Sequence, residues 1–276
     1  MNLHLGKGAL IVGVDEAEGY PLCETRIEGE TCRYYPALIN ADSCDGFTIS
    51  GEGTIDGHGA NVWEEFWTKR AAARKTGGEL RNKDLMRPRV LYVSNSKHVD
   101  VSGVTFKNAK FWTTHYYNCE DVVVHDCTIV ADILKDAKGD ELKGPSTDAI
   151  DIDKCRRFTV RKCVIAVNDD GVVVKGGKGA WADDPIRHPE HGPSTDVLVE
   201  NCTFRYPTHS CLTLGSECPA ADRITMRNCT MDNAGNMLYL KMRTDTPQQY
   251  ANVLVEGMTG TCRAFLNICD RESCWT

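Results

Sequence analysis

The sequence predicts an all-β fold, a parallel β-helix wound as one domain over residues 1–276. Three observations carry that prediction: a two-strand unit recurs seven times, equivalent positions of the copies hold similar side chains, and one stretch alone has a sustained helical period. The units are FTISGEGTI from Phe47, VDVSGVTF from Val99, VVVHDCTI from Val122, FTVRKCVI from Phe158, VLVENCTF from Val197, ITMRNCTM from Ile224 and VLVEGMTG from Val253. Each reads as a short strand with alternate apolar residues, a polar or glycine turn, and a second short strand. Their starts lie 52, 23, 36, 39, 27 and 29 residues apart, so the smallest unit takes 23 residues and the excess falls in loops.

A unit of this size cannot bury its apolar face alone, but stacked copies can. One column runs Val104, Cys127, Cys163, Cys202, Cys229, Met258, and another, three residues before each start, runs Cys44, Ser96, Cys119, Cys155, Ser194, Ala221. Small, weakly polar residues repeat there because each is expected to point inward onto its own copies. Seven cysteines are therefore read as free buried thiols acting as small hydrophobes; Cys262, Cys269 and Cys274 fall outside the columns. The helical exception is Val62 to Lys75, where Trp63, Phe66, Trp67 and Arg70 sit at helical offsets ahead of an alanine-rich tail. It is expected to flank the coil, its aromatics packing onto it rather than offering a platform to a sugar.

Fourteen cysteines in 276 residues are below the roughly 8–10% of a disulfide scaffold. With 32 basic against 39 acidic side chains and a net charge of −7, the chain has no general attraction to nucleic acid or anionic membrane. The apolar run Gly8 to Val14 is far short of the roughly 20 residues of a membrane helix and lacks the flanks of a signal peptide. Strand and turn begin at once, so the chain is expected to lack part of both ends. No C-x-x-C and no zinc-type histidine pair occurs, so neither a metal nor another cofactor is expected.

Chemistry concentrates in the loops after the repeats. GPSTDAIDIDKC carries Asp148, Asp151 and Asp153; NDDGVVVKGG carries Asp169, Asp170 and Lys175; THSCLTLGSE carries His209; NMLYLKMRTD carries Lys241 and Arg243. Asp170 lies twelve residues past Phe158 and His209 twelve past Val197, which puts them on neighbouring rungs, roughly 4.8 Å apart. Gly171 suggests a turn or bulge that lets both Asp169 and Asp170 face outward. With Asp148 they would form a three-carboxylate cluster whose repulsion raises at least one pKa, leaving a protonated and an ionised group side by side, as acid–base glycosidic cleavage requires. A solvated turn or a Ca²⁺ site of oxygen ligands remains open on these residues alone.

The ordered set GTIDGHG at 53–59, STD at 146–148, NDD at 168–170, THS at 208–210 and YLK at 239–241 resembles the polygalacturonases, family 28 of the glycoside hydrolases, across residues 5–268. The segment HSCLTLGSE is similar to that of the exo-acting branch. The resemblance implies a right-handed, pectin-lyase-like β-helix and an inverting hydrolase of pectic polysaccharide that needs no cofactor, works as a monomer and is secreted or periplasmic. It makes Asp169 the general acid, Asp148 and Asp170 the pair that holds and deprotonates water, His209 an orienting or hydroxyl-binding group, and Lys241 a ligand of a substrate carboxylate. Inversion asks for acid and base roughly 6.5–9.5 Å apart.

Departures from the family pattern are Ser146, Ala149, Thr208, Ser210 and above all Tyr239, which stands where the family has the Arg of R-I-K. A guanidinium binds a carboxylate bidentately and a phenol cannot. Arg243, two residues beyond Lys241 on the same strand face, is the expected substitute; otherwise the subsite would take a neutral sugar, as in rhamnogalacturonan-cleaving relatives. Lys175, Lys178 and Arg187 are further candidates for subsite charge. Two other classes stay open: a lyase on the same fold, with Asp148, Asp151, Asp153, Asp169 and Asp170 caging Ca²⁺, and a non-catalytic glycan-binding solenoid.

Overall fold

In the computed structural model, which describes residues 1–15, 19–136 and 138–269, the units stack into a right-handed parallel β-helix. The first strand of each unit joins one sheet, from Asn2–Leu5 through Thr48–Gly51, Lys97–Ser102, Glu120–His125, Arg156–Arg161, Ser194–Glu200 and Ala220–Arg227 to Gln249–Glu256. Six unit starts, Val99, Val122, Phe158, Val197, Ile224 and Val253, lie side by side in its register. The second strands form a second face, from Thr54–Asp56 to the beginning of Thr230–Lys241.

Between the two strands each coil turns through one residue of positive φ: Gly103, Asp126, Lys162, Asn201, Asn228 and Gly257. Glycine, asparagine and aspartate tolerate that left-handed conformation best, which is why five of the six belong to those types. The next residue then drops into the core, where Val104, Cys127, Cys163, Cys202 and Cys229 are buried and the four thiols are free. At the other corner the column is stitched from rung to rung: Cys44 N–H donates to Ser96 Oγ at 3.0 Å and Cys155 N–H to Ser194 Oγ at 3.1 Å. Cys44 departs from the expected burial and is only half-buried. Cys262 is a free thiol, Cys269 is disulfide-bonded, and Cys274 lies outside the described residues.

The segments read as loops contain a third strand in each coil, including Thr114–Tyr117, Ile150–Asp153, Val172–Lys175, Ser210–Leu214 and the end of Thr230–Lys241. Its alternation is easily mistaken for a polar loop. Ile150 and Ile152 point inward with Val172, Val174, Leu212 and Leu214, whereas Asp151 and Asp153 stand on the outer side, in register with Val173 and Lys175. That outer side is covered by an antiparallel hairpin, Cys23–Ile27 with Glu30–Tyr34, whose Ile27 and Tyr34 pack on Phe111 and Trp112. Arg26 of the hairpin places Nε 3.0 Å from Asp153 Oδ2. Burial alone would raise the Asp153 pKa, but Arg26 and His115 hold it far below the usual carboxylate range.

The helix spans Ala60–Lys75, with Val62, Trp63 and Phe66 buried. Trp63 donates Nε1–H to Ala109 O at 2.9 Å, so its aromatics serve packing, as expected. Trp67 is partly exposed, donating Nε1–H to Lys143 O at 2.6 Å. No helix among the described residues is long and apolar enough to cross a membrane.

Candidate active site

Successive turns from the second face to the third are zipped together by their backbones. Ala149 N–H donates to Asp170 O at 2.9 Å, His209 N–H to Asp169 O at 2.9 Å and Gly235 N–H to Thr208 O at 2.9 Å. The approach at Gly235 leaves no space for a side chain, because a Cβ there would fall 2.1 Å from His209 O. Val172 pairs with Leu212, which sets Asp170 level with Ser210 rather than His209. Equal counting misses by one because the later coil carries one more residue before its third strand.

His209 nonetheless reaches Asp170. Its Nδ1 lies 2.9 Å from Asp170 Oδ1, and Lys241 Nζ donates to Asp170 Oδ2 at 2.6 Å. This corrects one expectation: Asp170 does not face solvent but is fully buried. His209 bonds Asp170 through Nδ1, and one donor of Lys241 goes to the same carboxylate. Tyr239 closes the group, its ring 5.6 Å from that of His209 and 5.1 Å from Lys241 Nζ.

The carboxylates separate into two kinds. Burial would raise Asp170, but the Lys241 charge and the His209 hydrogen bond outweigh it and hold Asp170 well below its ordinary value. Asp169, whose Oδ1 accepts the Asp170 N–H at 3.0 Å, is raised by burial and by the Asp170 charge. Asp148 is raised further, by burial and then by repulsion from Asp169 and Asp151. The Asp170 hydrogen bond raises His209 above its free value although burial opposes it. Lys241 stays protonated because Asp170, Asp169 and Asp148 overcome the penalty of burial.

Asp148, Asp169 and Lys241 line a cavity of about 550 Å³ together with Lys175, Lys178, Glu217 and Arg243. Lys175 is buried, 3.2 Å from Glu217, 3.5 Å from Asp151 and 4.4 Å from the centre of the Trp112 ring. Burial pushes Asp151 up to about 7 despite the Lys175 charge, whereas that charge overcomes burial in Glu217 and draws it down to about 2. Arg243 is not on the strand face with Lys241, because the strand ends at Lys241. It lines the cavity from the following loop, bonded to Asp245 at 2.6 Å. Arg187 stacks over Trp181 at 4.1 Å, apart from the residues that line the cavity. The five-carboxylate cage does not assemble: Asp151 turns to Lys175 and Asp153 to Arg26 and His115.

Glu217, Trp112, Asn82, Arg81 and Glu28 also line the cavity and were not singled out by the sequence. Glu217 lay in plain view in the GSE segment. The alternating run CETRIEGETCRYY signals the hairpin that carries Glu28.

The chain matches the family model for glycosyl hydrolases family 28 over residues 22–259. It is 26% identical over 217 residues to an exopolygalacturonase of Zea mays, a match covering 72% of this chain and 48% of that protein. It overlays a hyperthermoactive exopolygalacturonase from Thermotoga maritima with TM-score 0.74 and 23% identity, over 96% of this chain and 63% of that one. The family 28 exopolygalacturonase of Yersinia enterocolitica gives TM-score 0.70 and 17% identity, over 98% and 57%. These structures share the fold, and the chain spans half or less of the length of curated relatives it matches.

Proposed function

Since the chain belongs to family 28 of the glycosyl hydrolases, we propose that it hydrolyses the glycosidic bonds of a galacturonic-acid-containing pectic polysaccharide with inversion, working from a chain end. The observation that carries the reading is the arrangement of three neighbouring carboxyls: Asp170 is bonded to His209 and Lys241, which hold it ionised, while Asp148 and Asp169 line the cavity, where burial and repulsion raise their proton affinity.

Asp148 and Asp169 interact, so they release their protons in two steps that belong to the pair. In the singly protonated pair the proton favours Asp148, so the reactive form is the minority tautomer with the proton on Asp169. From it Asp169 gives its proton to the leaving glycosidic oxygen as the bond from the anomeric carbon breaks. A water attacks that carbon from the opposite face and passes a proton to Asp148. Asp170 is a poor proton acceptor because both its oxygens are already bonded; its role is to help hold the water and to steady the positive charge growing on the sugar ring. Afterwards the proton gained by Asp148 and the one lost by Asp169 exchange through solvent. Chain-end attack is supported by the exopolygalacturonase relative and by the GSE segment. Family membership supports secretion or a periplasmic location.

The test is incubation with homogalacturonan, rhamnogalacturonan and short oligomers while reducing ends and the anomeric configuration of the first product are followed. Inverted product, lost in Asp169→Asn and Asp148→Asn, is the expected result. Retained configuration, unsaturated ends absorbing in the ultraviolet, or release that survives both substitutions would reject it.

A further inference from the structure

We propose that Arg81, in the loop after the helix, is a recognition site of the cleft for a sugar carboxylate. The proposal rests on the reading of the substrate as a uronic acid polymer.

Five cations line the cavity: Arg81, Lys175, Lys178, Lys241 and Arg243. Four are already neutralised by the protein. Lys241 is 2.6 Å from Asp170, Lys175 is 3.2 Å from Glu217, Lys178 is 3.0 Å from Glu30, and Arg243 is bonded to Asp245 at 2.6 Å. Among the described residues the guanidinium of Arg81 has no ion pair and no hydrogen bond. Each of the other four already shares its charge with a carboxylate of the protein, which weakens its pull on a second anion, whereas the charge of Arg81 is not shared in this way. Its planar fork also suits a carboxylate better than an ammonium does.

The base of the side chain is fixed even though its tip is not. Arg81 N–H donates to Asp84 Oδ2 at 2.8 Å. The next residue, Asn82, donates to Glu28 Oε1 at 2.8 Å and accepts from Arg87 at 2.5 Å and from Ser146 Oγ at 3.3 Å. Ser146 is two residues before Asp148, so this knot ties the Arg81 loop to the loop carrying the proposed base. Glu28, Asp148, Asp169, Glu217 and Asp245 also face the cavity, and an anionic sugar entering among them needs an uncommitted cation to offset the repulsion.

The experiment measures, by calorimetry, binding of trigalacturonic acid and of its fully methyl-esterified form. The proteins are Asp169→Asn, which does not turn the ligand over, and the same protein with Arg81→Gln or Arg81→Lys. Removing a charge-assisted bond should weaken the acid about tenfold in Arg81→Gln and the ester less than twofold, with Arg81→Lys between. Equal weakening of both ligands, no weakening of the acid, or no binding of the acid before the arginine is changed would overturn the proposal. If binding behaves as expected but the unmutated protein releases no sugar, the hydrolase reading fails and the assignment of Arg81 stands. Thermal melting checks that the exposed substitution leaves the fold intact.

Discussion

Lys241 Nζ lies 2.6 Å from Asp170 Oδ2, although the two residues are separated by 70 others in the chain. The contact spans two coils: Thr230–Lys241 pairs with Ser210–Leu214, which pairs with Val172–Lys175, and the Lys241 side chain reaches past the middle strand to the turn that precedes Val172. It decides which of the three carboxyls stays ionised.

Lys241→Met should therefore reduce kcat by about 10²–10³, the loss seen when one preorganised electrostatic contact is removed. Lys241→Arg should restore part of it. The measurement is steady-state release of reducing sugar, with circular dichroism to show that the coil survives.

The same substitution should move the pH profile. Asp169 and Asp148 are raised, so both limbs of the bell should lie above the ordinary aspartate range, the alkaline limb marking loss of the last proton of the pair. Lys241 lowers the proton affinity of Asp169. In Lys241→Met the alkaline limb of the residual activity should accordingly move to higher pH; a shift to lower pH would contradict the assignment of Asp169 as acid.

His115 lies fully buried between Arg89 and Asp153, and burial pushes its pKa down to about 3. Between pH 3 and the ordinary value of 6.5 the unfolded chain binds a proton that the folded one refuses, so stability must fall as pH drops through that window. Urea midpoints of the wild type should decline from pH 6.5 downward, and less steeply in His115→Asn.

Glu217→Gln should destabilise by about 3 kcal/mol, because Lys175 keeps its charge in a buried site with one partner fewer. For a chain of this size that is a drop of about 6–12 °C in Tm. An unchanged Tm would show that the Lys175 network adds nothing to the fold.

Ile165 is fully buried in the stacked column of Ile129 and Phe204. Ile165→Ala should cost about 2–5 kcal/mol, whereas Leu254→Ala, at a side chain 48% exposed, should stay within about 0.5 kcal/mol. Paired denaturation curves test the difference.

The coil was legible because its cause is local and repeated. Cys127, Cys163, Cys202 and Cys229 recur at one position since each must fit on its own copy, and that constraint writes itself into the chain six times. The helix was legible for a similar reason: Trp63 and Phe66 fall on one face at adjacent turns. The third strand was not, because Asp151 and Asp153 alternate with Ile150 and Ile152 and nothing in that spacing says that the polar side is also covered. Only the tertiary partners explain two buried aspartates there, Arg26 of the docked hairpin for Asp153 and Lys175 for Asp151.

The membership of the site was likewise written in order along the chain, as Asp148, Asp169, Asp170, His209 and Lys241, each in a turn that the stacking must bring into line. Which atoms meet was decided by the tertiary structure. A single extra residue before Ser210 shifts the register, yet His209 leans back onto Asp170; Lys241 takes the other oxygen, and the expected exposed pair becomes one buried anion and one raised acid. Sequence spacing encodes which rung a residue occupies, whereas proton affinity depends on burial and on charges a few ångströms away, and those exist only once the rungs are stacked.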